Sequence, residues 1–447
     1  MSEKRGAAVQ FATDPDSQIS RLRFWQSLTV ALLVTGYAGY YLCRSDLSVA
    51  LPLLIQELAS RGMPAAQATI RFGTIASLGV LAYAIGKFPS GGLADFLGGR
   101  RNYLLGMAGA VTCTFLFALS GGLPLFTLAW IGNRGLQSMG WAGIVKITSK
   151  WFSFASYGTV MGIISLSFLF GDAASRQFMS ALIAHGLGWR GVFWSAGAVL
   201  AGLLLINLAL MRESPRDLGL PEPQANPDNL FRDEGERSTP SGVGSMLETF
   251  AKSRIFWLVC ILSLGLTIVR EAFNLWTPTY FTQAVGLGAA DAAGKSSLFP
   301  FFGGISVLLS GFLSDRLGRA GRAGIILLGM VLAGTALLFL SMINFKASTF
   351  WPVALVAAIG FLIIGPYSYL AGAIALDFGG KQGSGTASGL IDGIGYLGGV
   401  LAGNSVASIA VSWGWKGAFV ALAAVTWLGS IVAAFYFAAQ RSQEAAA

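Results

Sequence analysis

The chain has 447 residues, of which 54% are hydrophobic and only 11% are charged. Soluble domains carry about 25% charged residues, so this composition excludes a water-soluble fold and predicts a polytopic membrane protein. The net charge of +9 does not indicate nucleic acid, because the Lys and Arg residues are not gathered in one polar domain. The single histidine, His185, excludes Ser-His-Asp catalysis, and the three cysteines lack metal-ligand spacing. We therefore expect no enzyme, no metal and no cofactor.

Apolar runs of about 20 residues, the length that crosses about 30 Å of hydrocarbon, recur along the chain. They predict an all-α membrane protein with twelve transmembrane helices in two groups of six. The predicted helices cover residues 25–57, 73–95, 102–120, 124–147, 157–185 and 190–211, and then 255–284, 296–317, 323–343, 350–376, 383–410 and 415–439.

Polar segments divide the chain into domains. Residues 1–24 form a polar tail without the apolar core of a secretory signal, and residues 440–447 form a second tail. Residues 212–254, rich in Pro, Gly and charge, form a linker between the helical bundles 25–211 and 255–439. An even number of spans puts both tails on one face, which also carries most of the loop Lys and Arg. The positive-inside rule therefore predicts cytoplasmic termini in a plasma (inner) membrane.

The two halves of the chain repeat each other. Three pairs of motifs match at displacements of 220 to 226 residues: Arg44 and Pro52 with Arg270 and Pro278, WRGVF (189–193) with WKGAF (415–419), and Gly91 to Arg101 with Gly311 to Arg319. Such a repeat predicts two pseudo-symmetric bundles related by an axis along the membrane normal. A substrate site is expected between them near the middle of the membrane.

The loops at 91–101 and 311–319 resemble the loop signature of the major facilitator superfamily. Longer stretches resemble the organophosphate:phosphate antiporter family, which includes the glycerol-3-phosphate and hexose-phosphate exchangers. These stretches are GYAGYYLCRSDLSVALP (36–52), GKFPSGGLAD (86–95), QSMGWAGIVK (137–146), NLWTPTYF (274–281), GFLIIGPYSYLAG (360–372) and GTASGLIDGIGYLGG (385–399). The resemblance implies the twelve-helix major facilitator fold and an exchanger of phosphorylated metabolites.

Several candidate site residues follow from this resemblance. It implies that Arg44 and Arg270 grip the phosphoryl group and that Lys87 is the family's lysine on helix 2. It also implies that Tyr41 and Tyr396 line the cavity.

Three positions depart from the family pattern. Ser45 replaces a second cation, Gly171 stands where glycerol-3-phosphate exchangers have a histidine, and Thr267 replaces a tyrosine. These departures argue against glycerol-3-phosphate itself as the substrate.

The chemistry of Arg44 and Arg270 indicates the same role from the residues themselves. An arginine at the bilayer centre costs about 2.5–3.5 kcal/mol on insertion scales, so a mid-helix arginine usually faces a cavity. Guanidinium groups are always protonated and bind phosphate oxygens bidentately. The competing partners are Asp46 and Glu271. Neighbouring helical positions point about 100° apart, so we expect neither acid to neutralise its arginine.

Two further acids are candidates for the substrate site. Asp172 and Arg176 are four residues apart, which suits either a structural ion pair or a functional one. Asp392 lies in an apolar and glycine-rich stretch, where it would tune the charge of the site, take up a proton or receive a substrate amino group. Arg134 and Lys146 are predicted near the ends of their helix and are expected to snorkel, without a substrate role.

The charged residues of the two glycine-containing loops are expected to join helix ends and stabilise one gating state. These predicted gating residues are Asp95, Arg100, Arg101, Asp315, Arg316 and Arg319.

The sequence thus predicts a secondary transporter that exchanges a phosphorylated small metabolite for inorganic phosphate. A phosphate ester carries about 1.5–2 negative charges near neutral pH, and its binding removes repulsion between facing cations, which allows the loaded halves to rock. We expect a monomer whose partners are a small anion and the lipid bilayer, with no nucleic acid. Two alternatives remain open: a proton-coupled organic anion carrier that uses Asp172 or Asp392, and a membrane sensor of sugar phosphates.

Overall fold

The computed structural model describes residues 15–223, 248, 250–344 and 347–446. Within these residues the chain is almost entirely helical and forms twelve membrane spans. The first six are α1 (Pro15–Ser60), α2 (Ala65–Leu97), α3 (Gly99–Leu119), α4 (Leu123–Gln137, continued by Met139–Trp151), α5 (Phe154–Ala184) and α6 (Trp189–Leu210). The next four are α7 (Arg254–Val285), α8 (Ala289–Leu313), α9 (Arg316–Met342) and α10 (Phe350–Ile374).

The last two spans, α11 and α12, share the helical segment Ala375–Ala446 and meet at Gly414, whose φ is 71°. This segment is not one straight rod, because Ser388 Oγ donates to the carbonyl of Ala371 at 2.6 Å. Residues 17 positions apart in a straight helix would be separated by about 25 Å. The chain therefore turns back between α10 and α11.

Eight continuous helices of the described chain are long and apolar enough to cross a bilayer, one of which holds both α11 and α12. The remaining spans are α1, α4 and α5, which carry the charged residues Arg44, Arg134 and Asp172 in their interiors. Large apolar side chains such as Leu128, Phe339 and Phe435 are exposed on the outer surface, as a lipid-facing surface requires. The predicted all-α membrane architecture is confirmed.

The ends of several elements differ from the sequence prediction. The first helix already begins at Pro15, and α2 begins at Ala65 rather than near 73, because turns that contain polar residues such as Asp16, Gln67 and Arg71 precede their apolar stretches. The predicted linker begins with a short 3₁₀ turn at Pro215–Leu218. Residues 1–14 of the predicted tail and 224–247 of the linker lie outside the described residues.

The internal repeat has a structural counterpart where the third helix of each half begins. Gly98 and Gly318 both adopt a left-handed backbone conformation, with φ of 87° and 65°, which glycine adopts without strain. Glu213, after α6, accepts from the backbone N–H of Arg100 at 2.6 Å, and Glu444, at the end of α12, accepts from that of Ala320 at 2.9 Å. A carboxylate from the end of each half thus caps its third helix.

Contacts between the two halves lie toward one face of the membrane. In α1, Ser48 Oγ donates to the carbonyls of Asn274 and Leu275 in α7, at 2.7 and 2.8 Å. In α5, Ser180 Oγ donates to the carbonyl of Ala290 at 2.7 Å, and in α2 Ser77 Oγ donates to that of Val400. We call this the closed face. Pro15 and Ala446, the first and last residues that the structure describes, lie on the other face, called here the terminal face.

Candidate functional site

A cavity of about 670 Å³ lies between the two halves. Its volume is in the range of sites that bind small metabolites. Arg44, Lys87 and Asp172 line it from the first half, and Arg270 and Asp392 from the second. Further lining residues, toward the terminal face, are Ser165, Val307, Gly311 and Ser388. The cavity therefore leads from the middle of the membrane to the terminal face.

Arg44 is held between aromatic rings in the first half. Its Cζ atom lies 5.2 Å from the ring centroid of Tyr41 in α1 and 4.6 Å from that of Tyr83 in α2. These are distances at which a cation is attracted by a ring face. None of the ion pairs found in the described chain involves Arg44.

Arg270 has a carboxylate partner that the sequence reasoning did not expect. Its Nη2 is 3.0 Å from Oε1 of Glu271, and both side chains are largely buried. Although the two residues are adjacent, their long side chains bend toward each other across the angle between their Cα–Cβ bonds. Our expectation that no neighbouring acid would pair with this arginine was wrong for Glu271. Nε of Arg270 nevertheless remains buried without a hydrogen-bond partner.

The other competing pair, Asp46 with Arg44, is not among the ion pairs of the described residues, in line with the expectation for this acid. Asp46 is fully buried, and its Oδ1 accepts from the backbone N–H of Leu47 at 2.7 Å. Its Oδ2 has no hydrogen-bond partner.

Lys87 and Asp392 join the two halves across the cavity. Lys87 Nζ, from α2, forms an ion pair with Oδ2 of Asp392, from α11. Tyr367 Oη, from α10, donates to Oδ1 of the same aspartate at 3.0 Å. Asp392 thus connects Lys87 of the first half to Tyr367 of the second, and its three predicted roles stay predictions.

Tyrosine rings separate the cations of the cavity. Lys87 Nζ lies 5.2 Å from the ring centroid of Tyr83 and 4.6 Å from that of Tyr396, and Arg270 Cζ lies 4.3 Å from that of Tyr367. Tyr41 and Tyr396 line the cavity as the resemblance implied. The sequence analysis did not predict Tyr83 or Tyr367 as site residues. Tyr83 precedes Lys87 by four residues, so helical spacing places both side chains on one face of α2, and this pattern could have indicated Tyr83.

Arg134 corrects a second expectation. We placed it near a helix end with its side chain snorkelling to the membrane surface, but only 3% of it is exposed. Its Cζ lies 5.0 Å from the ring centroid of Tyr83, which is also contacted by Arg44, and its Nη1 is buried without a hydrogen-bond partner. The reason is that the fourth span runs from Leu123 to Trp151 with a helical backbone at Ser138, so Arg134 lies well inside the span and away from both of its ends.

Asp172 and Arg176 form an ion pair at 3.0 Å. Asp172 also accepts from Ser45 Oγ, while Arg176 donates to Ser296 Oγ at 3.1 Å and to the carbonyl of Asn274 at 2.8 Å. These residues, which we call the interhalf cluster, link α1 and α5 of the first half to α7 and α8 of the second. In this conformation the pair stabilises the closed face.

Two departures from the family pattern have structural explanations. A Cβ atom at Gly171 would lie 2.9 Å from the Cα and Cβ atoms of Ala38 in α1, so this position packs against a helix and has no room for a larger side chain. Ser45 is engaged with Asp172 within the interhalf cluster.

Most of the predicted gating residues that can be described form contacts within their own half. Arg100 donates from Nε to the carbonyl of Met211 and from Nη2 to that of Leu208, both at 2.8 Å. Arg319 Nε is 3.6 Å from Asp377 in the second half. Arg316 lies over the ring of Phe312, 4.1 Å from its centroid, and Arg101 is exposed near Glu213. The side chains of Asp95 and Asp315 lie outside the described residues.

Twelve helices in two repeated halves around a central polar cavity define a secondary transporter of the major facilitator type. The sequence matches the family model of the Major Facilitator Superfamily over residues 33–403, and the chain belongs to this family. The solved structures with a similar fold include a bacterial homologue of the human lysosomal transporter Spinster in an inward-facing, unoccupied conformation. That similarity has a TM-score of 0.70 at 16% identity and covers 93% of this chain and 97% of the other.

Similarity to individual proteins narrows the class of transporter. A probable hexose phosphate transport protein of Chlamydia trachomatis is 29% identical, covering 95% of this chain and 93% of the relative. The glycerol-3-phosphate transporter of Bacillus subtilis is 26% identical, covering 91% and 90%. The membrane sensor protein UhpC of Salmonella typhimurium is also 26% identical, covering 99% of this chain and 98% of the relative. The predicted resemblance to the organophosphate:phosphate antiporter family is confirmed.

Proposed function

We propose that this protein exchanges a phosphorylated small organic metabolite for inorganic phosphate by alternating access. The observation that carries the proposal is the central cavity, into which the two halves contribute Arg44 and Arg270. Relatives named as hexose phosphate and glycerol-3-phosphate transporters support a phosphate ester as the organic substrate.

The charges of the cavity favour an anion over a neutral or cationic solute. Lys87 and Arg270 are each paired with one acid, whereas Arg44 has no carboxylate within ion-pair distance among the described residues. Nε of Arg270 also lacks a partner. A phosphoryl group would supply an acceptor oxygen for Nε of Arg270 and a counter-charge for Arg44, the cavity cation that forms no ion pair among the described residues.

The same electrostatics favour exchange over unidirectional flow. Without an anion, bringing the two halves together forces the charge of Arg44 toward that of Arg270 in a low-dielectric space, which is costly. With a phosphate or phosphate ester bound, this repulsion is offset and the loaded protein changes between its two openings. In the orientation we propose, both termini are cytoplasmic and the cavity opens to the cytoplasm.

The proposal is tested with purified protein in phosphate-loaded vesicles. We expect Arg44→Ala and Arg270→Ala each to reduce exchange of radiolabelled phosphate at least a hundredfold, because each variant lacks one of the guanidinium groups proposed to bind the anion. Arg61→Gln is the matched control, since Arg61 is an exposed arginine at the far end of α1, paired with Glu57. Full exchange by both alanine variants would contradict the proposal.

Two other functions are distinguished by the same preparation. A proton-coupled carrier would accumulate anion in vesicles that contain no counter-anion when a pH gradient is applied. A sensor, as the similarity to UhpC allows, would bind phosphate esters and gain thermal stability without flux. The transport proposal requires flux that depends on an anion on both sides.

A further inference from the structure

A second, smaller cavity of about 60 Å³ adjoins the main one toward the closed face. The two cavities share several lining residues, among them Arg44, Glu271 and Asn274. Because a water molecule occupies about 30 Å³ in the liquid, the smaller cavity has room for a compact polar group such as a carboxylate. It is also lined by Arg134 and by Trp130 of α4.

Arg134 is the unusual group of this small cavity. It is 3% exposed, and its Nη1 is buried without a hydrogen-bond partner. Leaving a buried charged donor unsatisfied is costly, so a native site that retains one is expected to supply its acceptor by another route. None of the ion pairs of the described chain includes Arg134.

The acids near Arg134 form ion pairs with other arginines or form no ion pair with Arg134. Glu271 pairs with Arg270 at 3.0 Å, and Asp172 pairs with Arg176 at the same distance. Asp46 is buried on α1, but its hydrogen bond goes to the backbone of Leu47 and it makes no ion pair with Arg134. The guanidinium of Arg134 therefore has capacity for an acceptor from outside the protein.

Arg134 and Arg44 are placed to act on one ligand. Both Cζ atoms lie near the ring of Tyr83, at 5.0 and 4.6 Å from its centroid, and both side chains line the small cavity. A ligand whose phosphoryl group lies at Arg44 and Arg270 would extend a second group toward Arg134.

We infer that Arg134 is a specificity-determining residue that binds a second anionic group of the organic substrate. This inference rests on the proposed exchange of phosphate esters and names their class: small esters that carry a carboxylate or a second phosphate in addition to the phosphoryl group. Guanidinium binds either group through two parallel hydrogen bonds.

Two esters that differ at one group test this inference. Glycerol 3-phosphate and 3-phosphoglycerate share a three-carbon skeleton, but the second has a carboxylate in place of a terminal alcohol. Each is titrated as an inhibitor of radiolabelled phosphate exchange in vesicles. For the wild type we expect 3-phosphoglycerate to inhibit at a concentration at least tenfold lower. In Arg134→Gln this preference should fall to within about threefold, while Arg61→Gln should keep it.

The result separates a binding role from a structural one. If Arg134 only balanced the charge of Asp46, its replacement would weaken both esters equally and leave their ratio unchanged. An unchanged ratio, or a wild type without preference, would overturn the inference. If Arg134→Gln has no flux, the two esters are compared by how much each stabilises purified wild type and purified Arg134→Gln against heat. A wild-type difference between the two esters in Arg134→Gln would also overturn the inference.

Failure of this inference is distinguishable from failure of the proposed function. A wild type that exchanges phosphate but does not prefer the carboxylated ester contradicts only the role of Arg134. A wild type without any phosphate exchange contradicts the proposed transport itself.

Discussion

The side chains of the cavity form ion pairs that we expect an anion to rearrange. Asp392 holds Lys87 from across the two halves, and Glu271 holds Arg270 within one helix. Both pairs are partly or largely buried, where breaking a pair is costly unless another charge replaces the lost partner. A phosphoryl group is such a replacement. We therefore regard the two acids as competitors of the substrate that keep the empty site closer to neutral.

This view predicts the effect of removing one competitor. Asp392→Asn should lower the half-saturating phosphate concentration in exchange assays severalfold, because phosphate no longer has to displace a carboxylate from Lys87. Tyr367→Phe removes only the hydrogen bond to Asp392 and should have a smaller effect in the same direction. A higher half-saturating concentration in Asp392→Asn would argue that this acid contacts the substrate favourably.

At the scale of helices, a carboxylate from the same half caps the beginning of α3 and of α9. Glu213 accepts from the backbone N–H groups of Gly99 and Arg100 and from Lys150 Nζ, the last at 2.7 Å. Partial burial by itself raises the pKa of the Glu213 carboxyl, but these hydrogen bonds and the lysine charge outweigh it and hold the pKa below its ordinary value. The first half thus keeps its helix ends together independently of the second.

The cap should contribute stability that depends on pH. Because the pKa of Glu213 is lower in the folded protein, its contribution is present above the ordinary pKa of glutamate and is lost as pH falls through the lowered value. We expect Glu213→Gln to destabilise the detergent-purified protein by about 1 kcal/mol at pH 7, measured by thermal unfolding.

The difference between Glu213→Gln and wild type should shrink in acid. Glu248→Gln is the control, since Glu248 pairs with Lys252 on an exposed helix surface and should not alter stability measurably. A destabilisation by Glu213→Gln that stays constant down to the acid limit would contradict a charge-dependent cap.

At the scale of the whole molecule, the two halves meet at the closed face and separate toward the terminal face. The interhalf cluster and the contacts of α2 with α11 hold one side, and the cavity leads to the other. A Cβ atom at Gly403 would lie 2.5 Å from the carbonyl oxygen of Gly73, so these two helices pack through their backbones there. Alternating access requires this contact and the interhalf cluster to separate.

Cysteine labelling tests the opening and the proposed orientation together. Ser165→Cys should react with a membrane-impermeant maleimide from the cytoplasmic side in inside-out vesicles, because Ser165 lines the open cavity. Cys43, Cys113 and Cys260 are buried and should give little background. Phosphate should change the labelling rate at least twofold.

Ser180→Cys is the matched variant, since Ser180 contacts Ala290 where the halves meet at the closed face. It should react from the cytoplasmic side at least tenfold more slowly than Ser165→Cys. Faster labelling of Ser165→Cys from outside the cell would contradict the orientation or the opening.

The sequence alone determined the membrane environment, the order of the helices, the repeat and the two facing arginines. Hydropathy, motif spacing and a charge in an apolar run are properties of single helices, so they can be read without knowing how helices pack. Only the tertiary structure decided which charged side chains contact each other. In the fold Glu271 pairs with Arg270, Lys87 pairs with Asp392, and Arg134 is buried beside Tyr83. Such contacts depend on rotamers, on where each helix begins and ends and on the approach of distant helices, none of which is encoded in local periodicity.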